Sequence, residues 1–173
     1  SWSKFCVTYL AADRHGRPVI IKECFPHAFC YRDGLDVVPY DEAAAPVLEA
    51  TRLLFLQDAR SLAKIHHPSI ARLECVFEEN GTGYIVVEFI DGYDLLEVIE
   101  HSHAQLNPGV VRHLLKNTLN ALDKVHRAGL LHRDISPENI IVTAANEPVL
   151  IDFGATMKTL ANRVAAASEL PIA

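Results

Sequence analysis

Apolar and polar positions change period several times along this chain, and each change marks an element. Over residues 5–11 β-forming side chains alternate in part. Asp13-Arg14-His15-Gly16 then makes a turn, and Val19-Ile20-Ile21 is a short apolar run closed by Lys22. This predicts a β-hairpin whose second strand is largely buried. Residues 24–40 carry Pro26, Gly34 and Pro39 with no clear period, which predicts a loop insertion. Over residues 46–65, Leu53, Leu54, Leu56, Ala59, Leu62, Ala63 and Ile65 recur at roughly helical spacing, and Pro68 follows. Residues 70–77 and 84–89 read as strands joined by a turn containing Asn80-Gly81. Ile90-Asp91-Gly92-Tyr93 is a short linker, followed by a helix over 95–101. Asn107 before Pro108 is a strong helix start and Gly129 a strong stop. Between them Val111, Leu114, Leu115, Thr118, Leu122 and Val125 form one apolar stripe. Ile140-Ile141-Val142 and Val149-Leu150-Ile151 read as a small hairpin, and from Ala155 onward the chain is rich in Ala, Thr and Ser.

Composition narrows the function classes. The 173 residues suffice for one sizeable core. Sixteen Lys and Arg against 22 Asp and Glu give a net charge of -6, which argues against nucleic acid or an anionic membrane as the main partner. Cys6, Cys24, Cys30 and Cys75 show no C-x-x-C spacing, so they read as reduced thiols, and no zinc-ligand spacing recurs among them and the nine histidines. No run of about 18 apolar residues and no signal peptide is visible. A cytoplasmic setting is therefore expected. The first residue is not Met, so an N-terminal segment is expected to precede it.

The chemistry concentrates in Leu131-His132-Arg133-Asp134-Ile135-Ser136-Pro137-Glu138-Asn139 and in Val149-Leu150-Ile151-Asp152-Phe153-Gly154. One carboxylate sits on a polar loop, an amide follows five positions later, and a second carboxylate ends an apolar strand. Such a set suits phosphoryl transfer. In such a set Asp134 would accept a hydroxyl proton, while Asn139 and Asp152 would hold magnesium against nucleotide phosphates. A lone D-F-G would be weak, since it also suits a strand before a turn. A lone Lys22 would read as a surface lysine at a strand end. The joint pattern H-R-D-x-x-x-x-N followed by D-F-G resembles the catalytic core of eukaryotic-type protein kinases. The phrase Ile21-Lys22-Glu23-Cys24-Phe25-Pro26, with Tyr31-Arg32-Asp33-Gly34 and Val37-Val38-Pro39, is similar to a branch of bacterial serine/threonine kinases.

That resemblance implies an α+β, protein-kinase-like two-lobe fold. A small antiparallel β N-lobe with an αC helix would occupy residues 1–90. The hinge and a mainly helical, incomplete C-lobe would occupy 91–173. It implies ATP and Mg2+ as cofactors and a protein as substrate. Lys22 would pair with nucleotide phosphates and with Asp58, where the family usually has Glu; the plainer reading of Asp58 is a solvated charge. Val7, Ile20 and Ile141 would contact the nucleotide. Val87 would be the gatekeeper, and the backbone of Glu88 and Ile90 would bind adenine. Asp94 would either reach the ribose or cap the helix that follows. Leu62, Leu73, His132 and Phe153 would form the spine that couples the lobes. Arg133 would answer to a phosphate on the activation segment, with Thr156, Thr159 and Ser168 as acceptors.

The chain also departs from the family. The glycine-rich loop aligns with Ser1-Trp2-Ser3-Lys4-Phe5-Cys6, so its three glycines are replaced and phosphate cradling should be poorer. Ile20 stands where a small alanine usually roofs the adenine. Ser136 replaces a lysine common two residues after the catalytic aspartate. No A-P-E-type anchor follows Asp152, so a fragment of a longer kinase is expected, or else a partner chain covering the incomplete C-lobe; either way the stripe headed by Val111, Leu114 and Leu115 would lack part of its cover. Three functions remain: an active protein kinase, a pseudokinase acting as a binding module, and a small-molecule kinase. Arg133 disfavours the last, which usually carries Gly there.

Overall fold

A computed structural model describes residues 5–101 and 106–153. They divide into two compact units. The first takes the described residues through Ala63 together with Leu73–Val87; the second takes Lys64–Arg72 and the described residues from Glu88 onward.

The first unit is built on a four-stranded sheet in the order β1-β2-β6-β5. β1 (Cys6–Ala12) and β2 (Pro18–Cys24) are antiparallel, with Thr8 opposite Lys22 and Val7 opposite Glu23. β5 (Leu73–Glu79) and β6 (Thr82–Glu88) form a second antiparallel pair around Asn80-Gly81, both at positive φ, as a tight hairpin turn requires.

The segment expected as a loop insertion holds a hairpin of its own, β3 (Cys30–Asp33) paired with β4 (Asp36–Pro39) across Gly34. Its strands have four residues each, and three of the four in β3 are exposed. A periodic signal therefore never develops. Long-range contacts hold it instead. The Val37 amide donates to the Asn80 carbonyl at 2.8 Å, and Cys30 and Val37 are buried with Val7, Phe25 and Leu48.

Helix α1 (Ala44–Leu62) starts two residues before the expected Pro46, where the Asp41 carboxylate accepts from the Ala44 amide at 2.8 Å. It ends before His66-His67-Pro68, a sequence that disfavours helix. Its buried face is Val47, Leu48, Thr51, Phe55, Leu56 and Ala59, a full helical stripe. Leu53, counted in the expected stripe, is 51% exposed instead. Phe55 and Leu56 pack with Cys6 and Cys24, with Ile85 beside them. The helix comes so near β6 that a Cβ at Gly83 would lie 2.8 Å from a Leu56 methyl.

In the second unit the expected linker after Ile90 forms β7 (Gly92–Asp94). It pairs with β8 (Ile140–Thr143), which pairs with β9 (Pro148–Leu150). Gly92 permits this approach, because a Cβ there would collide with the Val142 carbonyl. Ser69, Ile70 and Ala71 add a bridge and two backbone hydrogen bonds to Leu150. α2 (Leu95–His101) opens with a capping box. The Asp94 carboxylate accepts from the Glu97 amide at 2.8 Å, and the Glu97 carboxylate accepts from the Asp94 amide at 3.2 Å. α3 (Pro108–Arg127) is capped by Asn107, whose side-chain oxygen accepts from the Gly109 and Val110 amides, and Gly129 at φ +75 terminates it.

α3 packs against β9. Its buried residues are Leu114, Thr118, Ala121 and Val125, so the inward stripe is rotated from the expected one. Val111 and Leu115 fall outside it. With Leu106 and Leu119 they line an open groove of about 740 Å³ flanked by Arg112 and Lys116. Among the described residues, no helix is long and apolar enough to cross a membrane.

Candidate functional site

The second unit assembles its polar residues around one side chain. After α3 the chain runs without regular structure through His132, Arg133 and Asp134 and into a single 3-10 turn, Pro137–Asn139. The Asn139 amide nitrogen donates to the Asp134 carbonyl at 2.9 Å. Its backbone carbonyl accepts from the Ile151 amide at 3.0 Å. One residue therefore ties the loop bearing Asp134 to the strand end that delivers Asp152. With its nitrogen committed, Asn139 has its side-chain oxygen to turn toward a cation.

His132 supports this joint from below. It is 1% exposed, its Nε2 lies 2.9 Å from the Ile151 carbonyl, and its ring centroid is 4.4 Å from that of Phe153. Arg133 and Asp152 both take positive φ, +63° and +59°. Asp tolerates this region, but a long side chain such as Arg adopts it only where the surroundings over-determine the backbone, as at functional sites. Arg133 is exposed, while Asp134, Asn139 and Asp152 are half-buried. Donors of this kind, one carboxylate and one amide oxygen, fit magnesium, which takes few protein ligands and completes its shell with water and phosphate oxygens. Among the described residues there is no cluster of three or more His, Cys, Asp or Glu placed for a metal.

Glu88 donates its backbone amide to the Arg72 carbonyl at 2.9 Å, and its carboxylate accepts from the Arg72 amide at 2.8 Å. Ile90 and Ile141 are half-buried, and Ile141 pairs with Asp94 across β7–β8. Of the two roles open to Asp94, the structure shows the helix cap.

The first unit brings a second group onto one sheet face. Strand side chains alternate, so Ile20, Lys22 and Cys24 share a face of β2. Cys24 packs on Phe55 and Leu56 of α1, with Ile85 of β6 beside them, so this is the face α1 covers. Val87, two residues beyond Ile85, shares it. Asp58 lies on the same helix, next to Ala59 and one turn beyond Phe55, and is half-buried. Lys22 and Asp58 thus occupy the same side of the sheet.

Val7 does not. It sits opposite Glu23 and is 3% exposed in the cluster with Phe25 and Leu48, on the face away from Lys22. Val7, expected beside the nucleotide, thus lies in the core on the other face from Lys22. Thr8, directly opposite Lys22, shares its face. The pleat could have revealed this, since a one-residue slip inverts every side chain. Cys6, at an expected glycine position, fills the core with Cys24 and Leu56. Ser1, Ser3, Thr156, Thr159 and Ser168 lie outside the described residues.

Comparison with known proteins agrees with this geometry. The solved structure of PpkA-294 in its apo form matches 98% of this chain and 60% of its own, with a TM-score of 0.83 and 29% identity. Mouse Citron Rho-interacting kinase is 32% identical over 127 residues, 73% of this chain and 6% of that protein. A probable serine/threonine-protein kinase of Streptomyces coelicolor is 36% identical over 104 residues, 58% of this chain and 15% of that protein. The chain therefore spans only a small part of these curated relatives. The protein kinase domain family matches residues 49–168, more than half of the chain. This chain therefore belongs to the protein kinase domain family.

Proposed function

We propose that this chain is the nucleotide-binding and catalytic part of an ATP- and magnesium-dependent protein kinase that phosphorylates Ser or Thr hydroxyls. The observation that carries the reading is Asn139, hydrogen-bonded to the Asp134 carbonyl and to the Ile151 amide, so that base and metal carboxylates are held by one residue. Asp134 orients and deprotonates the substrate hydroxyl. Asn139 and Asp152 hold the magnesium, which would neutralise charge on the phosphates. Lys22 binds the phosphates and Asp58 orients Lys22. Ile20, Ile141 and Val87 contact the base, and the Glu88 carbonyl and Ile90 amide read its edge. Arg133 answers to a phosphorylated residue on the segment beyond Asp152. The substrate is a protein, and the setting is cytoplasmic.

A second reading, a pseudokinase that binds nucleotide with little turnover, is favoured by Cys6. Its side chain is packed into the core where a glycine-rich loop would have none.

Calorimetry with ATP, with and without magnesium, followed by γ-phosphate transfer to a generic protein, separates the two. The kinase reading expects magnesium-dependent binding and transfer in the parent. In Asp134→Asn it expects retained binding and a loss of transfer of about 10²–10⁴-fold. Binding without transfer in the parent selects the pseudokinase, and absence of binding overturns both.

A further inference from the structure

On β2, directly beside Lys22 but pointing to the opposite face, lies a carboxylate that the proposed reaction does not use. Glu23 is 1% exposed. Three donors from three different elements converge on it. The Tyr9 hydroxyl of β1 donates to Oε2 at 2.6 Å, the Tyr84 hydroxyl of β6 to Oε1 at 2.8 Å, and an Arg32 guanidinium nitrogen of β3 to Oε2 at 2.6 Å. β1, β2 and β6 are adjacent in the sheet, so the row Tyr9–Glu23–Tyr84 crosses three strands on one face. Arg32 is itself held. Its other terminal nitrogen donates to the Leu35 carbonyl at 3.1 Å, and its guanidinium carbon lies 5.1 Å from the centre of the Phe25 ring. The hairpin carrying Arg32 is fixed in turn through Val37 to Asn80, and its Cys30 and Val37 pack with Leu48 of α1.

We propose that Arg32 is a positioning residue for Lys22: through the buried Glu23 it locks the twist of β2 from the far face, so that the β3–β4 hairpin sets the direction in which Lys22 is presented. Adjacent residues of one strand share its twist, and the backbone at Lys22 cannot turn without dragging Glu23 off three donors. Stability alone does not call for this arrangement. A buried ion pair replaced by well-packed apolar side chains is often as stable or more so, and the hairpin already has apolar anchors in Cys30 and Val37. What the polar row adds is direction, because three hydrogen bonds fix an orientation that apolar packing leaves loose. The same network reaches α1 through Leu48, so strand and helix are held by one inserted element. The inference rests on the kinase reading for its consequence, phosphate transfer, but its geometric core is independent of it.

The test compares the parent with Glu23→Leu/Arg32→Met, which replaces the pair by apolar side chains, and with Arg32→Lys, which keeps the charge and loses the fork. Thermal melting reports stability. The NMR signal of reductively ¹³C-methylated Lys22, assigned by its loss in Lys22→Arg, reports position. The expected result is a double variant that melts within a few degrees of the parent, shows a displaced or broadened Lys22 signal, and transfers phosphate at least tenfold more slowly in kcat, with the KM for protein substrate unchanged. Arg32→Lys is expected to fall between the two. A stable double variant with a parent-like Lys22 signal and parent-like transfer overturns the proposal. Should the double variant not fold, Arg32→Lys decides by the same two outcomes. Should the parent transfer no phosphate, the kinase reading fails by itself, and the Lys22 signal still supports or overturns the positioning role.

Discussion

The β3–β4 hairpin of the first unit and the β8–β9 hairpin of the second are of similar size, and they are held in different ways. The β8–β9 turn is closed locally, although β7 flanks β8 and Ser69 and Ala71 bond Leu150. The Asn146 amide donates to the Thr143 carbonyl at 2.9 Å, the Thr143 amide to the Glu147 carbonyl at 3.0 Å, and Asn146 takes φ +59, a left-handed turn position that asparagine tolerates. Its strands are short but apolar, with Ile140, Val142, Val149 and Leu150 buried. β3–β4 has little of this. Its tip is Gly34 at φ +61 beside the exposed Leu35, and it is pinned by Arg32 to Glu23 and by Val37 to Asn80. A hairpin made of neighbours in sequence can deliver a catalytic residue to a fixed place wherever the chain continues. One made of distant partners couples the places it touches. The first kind fits the delivery of Asp152, and the second fits the support of Lys22.

Asp152→Ala bears hardest on the local side of this contrast. The side chain ends the segment after β9 and makes no part of the β8–β9 turn. Magnesium-dependent nucleotide binding should be lost entirely while the melting temperature stays within a few degrees of the parent. Calorimetry with and without magnesium checks this, and undiminished binding of magnesium-ATP would remove Asp152 from the metal site.

Gly81→Ala breaks the distant side. Gly81 sits at φ +70, and a Cβ there would lie 2.6 Å from the Val37 carbonyl, a backbone atom that cannot turn away. Left-handed strain and this clash together should cost on the order of 1–3 kcal/mol. The loss should appear as a lower denaturant midpoint, together with weakened docking of β3–β4. A variant as stable as the parent would mean that the hairpin is not pinned at Asn80-Gly81.

These sites also show what could be read from the sequence. The grouping of Asp134, Asn139 and Asp152 on one loop and strand end was legible because their spacing is local, and the helix start at Asn107-Pro108 and the stop at Gly129 were legible for the same reason. The β3–β4 hairpin was not, since its evidence lies in Glu23, Asn80 and Leu48, far away in sequence. The face that Val7 takes was not legible either, because only the pairing register shows that Thr8 faces the side of Lys22. Val111 and Leu115, in the stripe expected to lack part of its cover, are exposed, while Ala121, too small to weigh heavily in an apolar count, joins Leu114, Thr118 and Val125 in the buried stripe of α3.

Titration separates the hairpins more gently. Burial pushes the Glu23 carboxyl up, but the Arg32 guanidinium and the Tyr9 and Tyr84 hydroxyls outweigh it and hold Glu23 below its ordinary 4.5. A depressed carboxylate contributes stability that is present above its ordinary value and lost as pH falls through the depressed one. Tyr9, raised by burial of its hydroxyl end and by its bond to Glu23, sits at about 12. Its contribution is present below 10 and fades as pH rises from 10 to 12. Melting curves should therefore show the first unit weakening below about pH 4.5 and again above 10. In Arg32→Met the acid loss should shrink, because Glu23 is then held less far below its ordinary value. An acid limb identical in parent and Arg32→Met would mean that Glu23 does not depend on Arg32.

The smallest effect is expected in the β8–β9 turn and tests whether that turn acts apart from the site. Asn146 is exposed, and its left-handed backbone is the turn's one demand on residue type. Glycine meets that demand with no Cβ, at the expense of a freer unfolded chain, so Asn146→Gly should change stability by no more than about 0.5 kcal/mol. Alanine does not meet it, and Asn146→Ala should cost roughly 1–2 kcal/mol. Because Asp152 is delivered by the strand that follows, both variants should keep magnesium-dependent nucleotide binding within about twofold of the parent wherever they remain folded, a difference of roughly 0.4 kcal/mol. A larger loss of binding in Asn146→Gly, with stability intact, would show that the turn helps to place Asp152.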